Sequence, residues 1–145
     1  MTSPSLRHVS ERTIEWGQCD PAGIVFHPRY FEMFDACAAD IFALASGMAK
    51  GEMLRHYGAA GIPVVDTGAK FTLPCHYGDL VRIETHVAAF RRSSFDVRHS
   101  LFNGGQLAAE GWSTRVWTAR DPQDPERLRS APIPAELLAQ FGAPA

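Results

Sequence analysis

The stretch Gly17-Gln18-Cys19-Asp20-Pro21-Ala22-Gly23-Ile24-Val25-Phe26-His27-Pro28 gathers a thiol, a carboxylate and an imidazole. Asp20 is the group there that can serve at neutral pH as either nucleophile or general base. Its bland alternative is an Asx turn ahead of proline. His27 reads as a general acid, a substrate-positioning group or a polar residue at a helix start. Cys19 has the weaker case as a nucleophile, because a neighbouring carboxylate works against a thiolate and no Cys-His-Asn pattern is evident. Pro28 suits the first position of a helix, where a missing N–H costs nothing. The stretch therefore ends among helix N-terminal donors and a positive dipole, so a carboxylate and an oxyanion site can face one another.

Other groups invite chemistry less directly. Asp35 falls at the edge of an apolar helix face, either as a boundary residue or as a polar group reaching a pocket. Phe26, Phe31 and Trp16 can line an acyl pocket or simply fill core. Arg91-Arg92-Ser93-Ser94 is a basic, hydroxyl-rich turn of a kind that surfaces commonly carry, yet paired guanidinium groups also suit phosphates. Cys37 lies on the apolar face and reads as core. His56, His76, His86 and His99 lack metal-ligand spacing, so no metal is assigned.

The elements that position these groups follow from periodicity. Val9 to Trp16 is a first strand, with Arg12, Ile14 and Trp16 on one side. Residues 1 to 7 are polar and expected to fray. From Pro28 to Ser46, Tyr30, Phe34, Cys37, Ala38, Ile41 and Ala45 mark one face of a helix that Gly47 stops. A shorter helical piece spans about Gly51 to Tyr57. The period then changes to two: Val65 to Leu73, Val81 to Ala89, Phe95 to Leu101 and Gln106 to Ala119 read as strands. Trp112, Thr114, Val116 and Thr118 share one face of the last strand, and Asn103-Gly104-Gly105 makes the hairpin before it. The Asp-Pro pairs at Asp121 and Asp124 form a loop, and a short helix from Pro134 to Phe141 closes the chain. One long helix with antiparallel strands is an α+β layout in which the sheet covers the helix.

Composition bounds the rest. The 145 residues suit one domain, spanning 1–145, and at 46% apolar and 21% charged they can bury a core unaided. A formal charge of −2 gives no global attraction for nucleic acid or an anionic membrane. Three cysteines without metal spacing, no signal-peptide pattern and no apolar run of about 18 residues point to a soluble cytoplasmic protein.

The run Cys19-Asp20-Pro21-Ala22-Gly23-Ile24-Val25, followed by an aromatic residue, His27-Pro28 and Tyr30, resembles the signature of the 4-hydroxybenzoyl-CoA thioesterase family of hotdog-fold proteins. Gly61-Ile62-Pro63-Val64-Val65, Tyr77-Gly78-Asp79, Arg91-Arg92-Ser93-Ser94-Phe95 and Glu126-Arg127-Leu128-Arg129 extend the likeness across most of the chain. The resemblance implies a hotdog fold, a sheet curled around the long helix, associating into dimers and often tetramers. It also implies hydrolysis of an acyl-CoA without metal or other cofactor. Asp20 matches the carboxylate that attacks the thioester or activates water. His27 occupies a place where relatives carry His or Tyr, and its backbone N–H polarises the carbonyl. Phe26 and Asp35 are candidate substrate contacts from their positions in the chain and not from the resemblance, with core packing and a helix-boundary role as their respective alternatives. Arg91, Arg92, Ser93 and Arg129 are expected at the nucleotide end, of the same or a neighbouring subunit; Ser93 stands where close relatives have Lys, removing one phosphate contact. An aromatic acyl group such as 4-hydroxybenzoyl is the first expectation, a short aliphatic one the second because of His27. A non-catalytic acyl-CoA-binding module is the rival of another class, and a hotdog hydratase does not match the position of Asp20.

Overall fold

The structure is a computed structural model that describes residues 4–142. Its centre is helix α1, Pro28–Ser46, which begins at Pro28 after the N-cap His27 and ends where Gly47 turns left-handed at φ 73°. Of the predicted stripe, Tyr30, Phe34, Cys37, Ala38 and Ile41 are buried, joined by Met33 and Phe42, while Ala45 is only partly buried. A second helix, α2 (Lys50–Tyr57), follows, and the chain then enters the sheet.

Five strands cover α1: β1 (Arg7–Thr13), β2 (Val64–Phe71), β3 (Leu80–Phe90), β4 (Ser94–Asn103) and β5 (Gln106–Val116). All pair antiparallel in the order β1-β3-β4-β5-β2. The period-two pattern assigns the inner face correctly on β3 and β4, where Val81, Ile83, Thr85 and Val87 and then Phe95, Val97, His99 and Leu101 are buried. Gly104 and Gly105, at φ 60° and 79°, make the tight β4–β5 turn that Asn103-Gly104-Gly105 predicts. On β5 the face toward the helix carries Gly111, Ser113 and Arg115. These are small or polar because the bulk comes from the other side: a Cβ on Gly111 would lie 2.5 Å from the Phe34 ring.

Several boundaries differ from the sequence reading. The first strand stops at Thr13, because the Ile14 N–H turns to the Asp79 carbonyl (2.8 Å) and Glu15 to Gln18 closes a 3-10 turn through a reciprocal capping box. Trp16 consequently leaves the sheet and stands exposed, edge-on to Tyr77. Of residues 1 to 7, the first three lie outside the described residues. Ser5 and Leu6 are tied down, each donating its N–H to the Phe141 carbonyl. The last strand breaks at Trp117, and a short β6 (Thr118–Arg120) pairs with β7 (Leu128–Ser130) in a separate two-stranded ribbon. The Asp-Pro loop between them is the ribbon's turn. Helix α3, Ala135–Gln140, packs Leu137 and Phe141 into the core near the C-terminal half of α1.

Candidate active site

The Asp20 stretch folds into a small hairpin, and its sequence explains how. Pro21 and Ala22 occupy the turn, the Gly23 N–H donates to the Asp20 carbonyl (2.9 Å), and Gly23 takes φ 82°, which a side chain would resist. The Asp20 N–H returns to the Ile24 carbonyl, and the Phe26 N–H to that of Gln18, both at 2.9 Å. A supporting loop pins the hairpin from outside, since the Val25 N–H donates to the Cys75 carbonyl (2.9 Å) and the Tyr77 N–H to that of Gly23 (3.3 Å). That loop is braced by Asp79, whose carboxylate accepts from the His76 N–H and the Asn103 side chain; these bonds hold it below the usual carboxylate range.

Asp20 makes the Asx turn considered as its bland alternative: Oδ1 accepts the Ala22 N–H at 2.8 Å. The bond fixes the carboxylate's orientation and uses one oxygen. Oδ2 has no hydrogen-bond partner among the described residues, so the turn leaves one oxygen uncommitted. His27 opens α1 with its ring exposed and edge-on to Phe26, 5.4 Å between centroids. No partner for its backbone N–H is found among the described residues, whereas the N–H groups of Val25, Phe26 and Arg29 around it are all bonded. An N–H at the positive end of a 19-residue helix can bind a developing oxyanion.

Two clefts lie along one stripe of α1. One, about 350 Å3, is lined by His27, Tyr30 and the Ile24-Val25 arm together with Phe71 to Pro74. Tyr30 and Phe71 meet there at 5.0 Å, and burial pushes the Tyr30 hydroxyl well above the ordinary tyrosine range. The other, about 260 Å3, is lined by Phe31, Phe34, Asp35, Val64, Thr67, His99, Ser113 and Arg115, among others. His27, Phe31 and Asp35 recur every four residues, so His27 and Asp35 stand two helical turns apart, roughly 12 Å at 1.5 Å per residue, while the clefts adjoin where Tyr30 lines one and Phe31 the other. In the second cleft Asp35 reaches Arg115 at 2.9 Å, and Arg115 is also anchored through Nε to the Ser113 hydroxyl at 3.1 Å. His99 stacks flat on Phe34 (4.9 Å, 8°), takes part in a 2.8 Å bond with Thr85, and is pushed down to about 3 by burial, with the Arg115 charge adding to the shift.

The other expected residues fall elsewhere. Phe26 is exposed beside His27 rather than packed in a pocket. Arg91 has its guanidinium taken: both terminal nitrogens bind Asp96 (3.0 and 2.8 Å) and Nε binds the Ser94 hydroxyl (2.7 Å). Those bonds hold the Asp96 carboxyl below its ordinary range. Arg92 and Arg129 are exposed and come to one sector of the surface. The Arg92 carbonyl accepts from Ile133, that of Ser93 from Trp117, and Arg129 pairs with Ala119 in the adjoining ribbon. This sector is at the far end of the sheet from Asp20. Strand β4 runs from Ser94, beside the arginines, to Asn103, beside the Asp79 brace, a span of about 30 Å for ten residues. Arg115 was not singled out by sequence reasoning. Its one available signal was the small set Gly111 and Ser113 in a strand otherwise able to carry bulk.

A curled antiparallel sheet around one long helix, with a carboxylate hairpin delivered to that helix's N-terminus, defines a hotdog-fold enzyme. The model of the thioesterase-like superfamily matches residues 14–141. The chain is 35% identical over 133 residues to the 4-hydroxybenzoyl-CoA thioesterase of Pseudomonas sp. (strain CBS-3), covering 88% of this chain and 92% of that one. A solved structure of a 4-hydroxybenzoyl-CoA thioesterase carrying an aspartate-to-asparagine exchange, complexed with 4-hydroxybenzoyl-CoA, superposes with a TM-score of 0.84 at 32% identity; the match covers 93% of this chain and 98% of that one. A gentisyl-coenzyme A thioesterase superposes at 0.78 with 27% identity, covering 93% and 99%. The chain belongs to the thioesterase-like superfamily and is a thioester hydrolase.

Proposed function

We propose that this thioesterase hydrolyses the coenzyme A ester of an aromatic acid, 4-hydroxybenzoyl-CoA first among them, with Asp20 as nucleophile or general base. The observation that carries the proposal is the unpartnered N–H of His27 at the start of α1, next to a hairpin that presents Asp20 with one oxygen uncommitted. The thioester carbonyl accepts that N–H, and Asp20 attacks the carbonyl carbon or takes a proton from the water that does. Where Asp20 is the base, the C–S bond of the water adduct then breaks, the thiolate takes up the proton that Asp20 accepted, and the carboxylic acid is released. Where Asp20 is the nucleophile, breaking the C–S bond expels the thiolate, which is protonated from solvent, and leaves a mixed anhydride on Asp20 that water hydrolyses to the acid and the free carboxylate. A donor so placed is worth roughly 3 to 4 kcal/mol at an oxyanion. A relative in complex with 4-hydroxybenzoyl-CoA after an aspartate-to-asparagine exchange fits a carboxylate needed for turnover rather than binding.

Substrate binding divides between the two ends of the molecule. Asp35 and the cleft around it serve the acyl group, and Phe26 borders the entrance. Arg92, Ser93 and Arg129 hold the nucleotide phosphates, with Arg91 shaping their turn. Because about 30 Å separates that sector from Asp20 along β4, a CoA bound at one Asp20 takes its phosphate contacts from a neighbouring subunit. Strand β2 supports such an assembly: it is an unpaired sheet edge, with Val64, Val65 and Phe71 exposed. The chain then acts as a single domain in a homo-oligomer, dimer or tetramer. Its three cysteines are all free, as suits the cytoplasm. Among the described residues no helix is long and apolar enough to cross a membrane.

Thiol release from 4-hydroxybenzoyl-, benzoyl- and butyryl-CoA tests the proposal. The highest kcat/KM is expected for 4-hydroxybenzoyl-CoA. Preference for butyryl-CoA would replace the aromatic substrate with a short aliphatic one, the outcome that His27 favours. Binding of all three without thiol release would make the chain a carrier.

A further inference from the structure

Arg115 is unusual for where it sits. It projects from β5 toward α1, is 6% exposed, and is the one Lys, Arg, Asp or Glu among the buried side chains of the described residues. Burying a guanidinium is costly, and an apolar side chain of similar volume commonly serves a fold at least as well. Its contacts indicate what the charge is for. The Ser113 hydroxyl fixes Nε at 3.1 Å from the same strand, and a terminal nitrogen holds Asp35 Oδ1 at 2.9 Å from the helix. The Asp35 side chain is 61% exposed. Left alone, so exposed a carboxylate would sample several rotamers and turn to water. Tied to a buried guanidinium that Ser113 anchors, it keeps one orientation at the cleft formed with Phe31 and Phe34.

Building on the acyl-side role given to Asp35 above, we infer that Arg115 is a positioning residue for substrate selection. It holds Asp35 as a fixed hydrogen-bond acceptor at the cleft, so that the enzyme prefers acyl groups presenting a hydroxyl or N–H donor over isosteres without one. An ionised carboxylate only accepts, and one oxygen is already engaged by Arg115. A substrate donor therefore meets a single preset geometry. A site built to bond a hydroxyl discriminates strongly against the analogue that leaves it unpaired, and pre-orientation removes the entropy of finding the bond. Because Asp35 is half open to solvent, the discrimination is on the order of tenfold to a hundredfold rather than the larger ratios of sealed sites.

The test is the ratio of kcat/KM for 4-hydroxybenzoyl-CoA to that for benzoyl-CoA, measured in the parent and in Asp35→Ala, Arg115→Met, Arg115→Lys and Ser113→Ala. Asp35→Ala and Arg115→Met should each lower the ratio about tenfold, and combining them should lower it no further, since both remove one device. Arg115→Lys keeps the charge but not the fork, and should recover only part of the ratio. Ser113→Ala removes an anchor without leaving a charge unpaired, and should lower the ratio about threefold; it decides the matter if Arg115→Met does not fold. An unchanged ratio in Ser113→Ala and in every folded Arg115 variant, with a collapsed ratio in Asp35→Ala, overturns the role of Arg115 and leaves that of Asp35 standing. An unchanged ratio in Asp35→Ala removes the acyl-side assignment itself, and the inference with it.

Discussion

The hairpin at Asp20 and the turn at Arg91 stand at opposite ends of the sheet, and they use their polar groups in opposite ways. At Asp20 most of the hairpin's backbone N–H groups are bonded internally, while among the described residues one Asp20 carboxylate oxygen and the His27 N–H at the helix start have no partner. At Arg91 the turn is closed by the Arg91 N–H on the Ser94 carbonyl (2.8 Å), and the guanidinium that looks available for a phosphate is consumed by Asp96 and the Ser94 hydroxyl. Asp96 is further held by the Thr114 hydroxyl at 2.8 Å. The lesson is that a charged side chain in a turn is a resource only after its neighbours have been satisfied. By that criterion the nucleotide contacts proposed for this sector fall to Arg92 and, across the ribbon, to Arg129.

The hardest blow to the comparison comes from Asp20→Asn. The exchange keeps the size of the side chain and an oxygen for the Ala22 N–H while removing basicity and nucleophilicity. kcat on the best thioester should fall by about 100-fold to 10,000-fold, more if the intermediate is covalent, with CoA-ester binding by calorimetry retained. A kcat within about tenfold of the parent would falsify the assignment of Asp20 and return attention to Cys19.

A finer cut separates the arginines. Arg92→Ala with Arg129→Ala should raise KM for a CoA thioester about tenfold while kcat changes little, since ionic hydrogen bonds are worth roughly 1.5 to 3 kcal/mol before solvent screening. A pantetheine thioester lacking the nucleotide should be indifferent to the double change. Arg91→Ala should raise KM less than about threefold, and should cost stability instead, under about 1 kcal/mol because the pair with Asp96 is half exposed. Were Arg91→Ala to carry the KM effect and the double variant none, the division of labour drawn between these residues would be reversed.

Near neutral pH the smallest effect lies between the two ends, at His99. Its folded value of about 3 is below the ordinary 6.5, so the folded protein keeps the ring neutral while the unfolded chain protonates it. The stability this contributes is fully present above pH 6.5 and is lost as pH falls from 6.5 toward 3. From pH 7 to pH 6 the loss attributable to His99 is under about 1 kcal/mol, growing toward about 1.4 kcal/mol per unit below. Denaturant melts of the parent and of His99→Phe across that range should diverge accordingly. Parallel pH curves would mean that His99 titrates normally in the folded state.

Much of the fold was legible in the residue pattern because the signals are local and strong. The 3.6-residue stripe from Tyr30 to Phe42, the Pro28 start and the Gly47 stop specify α1, and period two specifies β3 and β4. Asn103-Gly104-Gly105 specifies their connection to β5. The ribbon of β6 and β7 was not legible, since each of its strands has only three residues and neither makes a pattern alone. Nor was the inner face of β5, where Gly111, Ser113 and Arg115 do not look like core until Phe34 and Asp35 are set against them.

The same division applies to the site. That Asp20 stands in a Pro-Ala-Gly turn and His27 at a helix start follows from residue types with strong backbone preferences, and those preferences act over a few bonds. That the turn closes on a brace made by Asp79 and Asn103, that Arg91 is spent on Asp96, and that Arg115 holds Asp35 are outcomes of strand register and of packing between helix and sheet. Partners such as Arg115 and Asp35, far apart in the chain, meet only when β5 and α1 are brought together. No spacing within either segment records the distance between them.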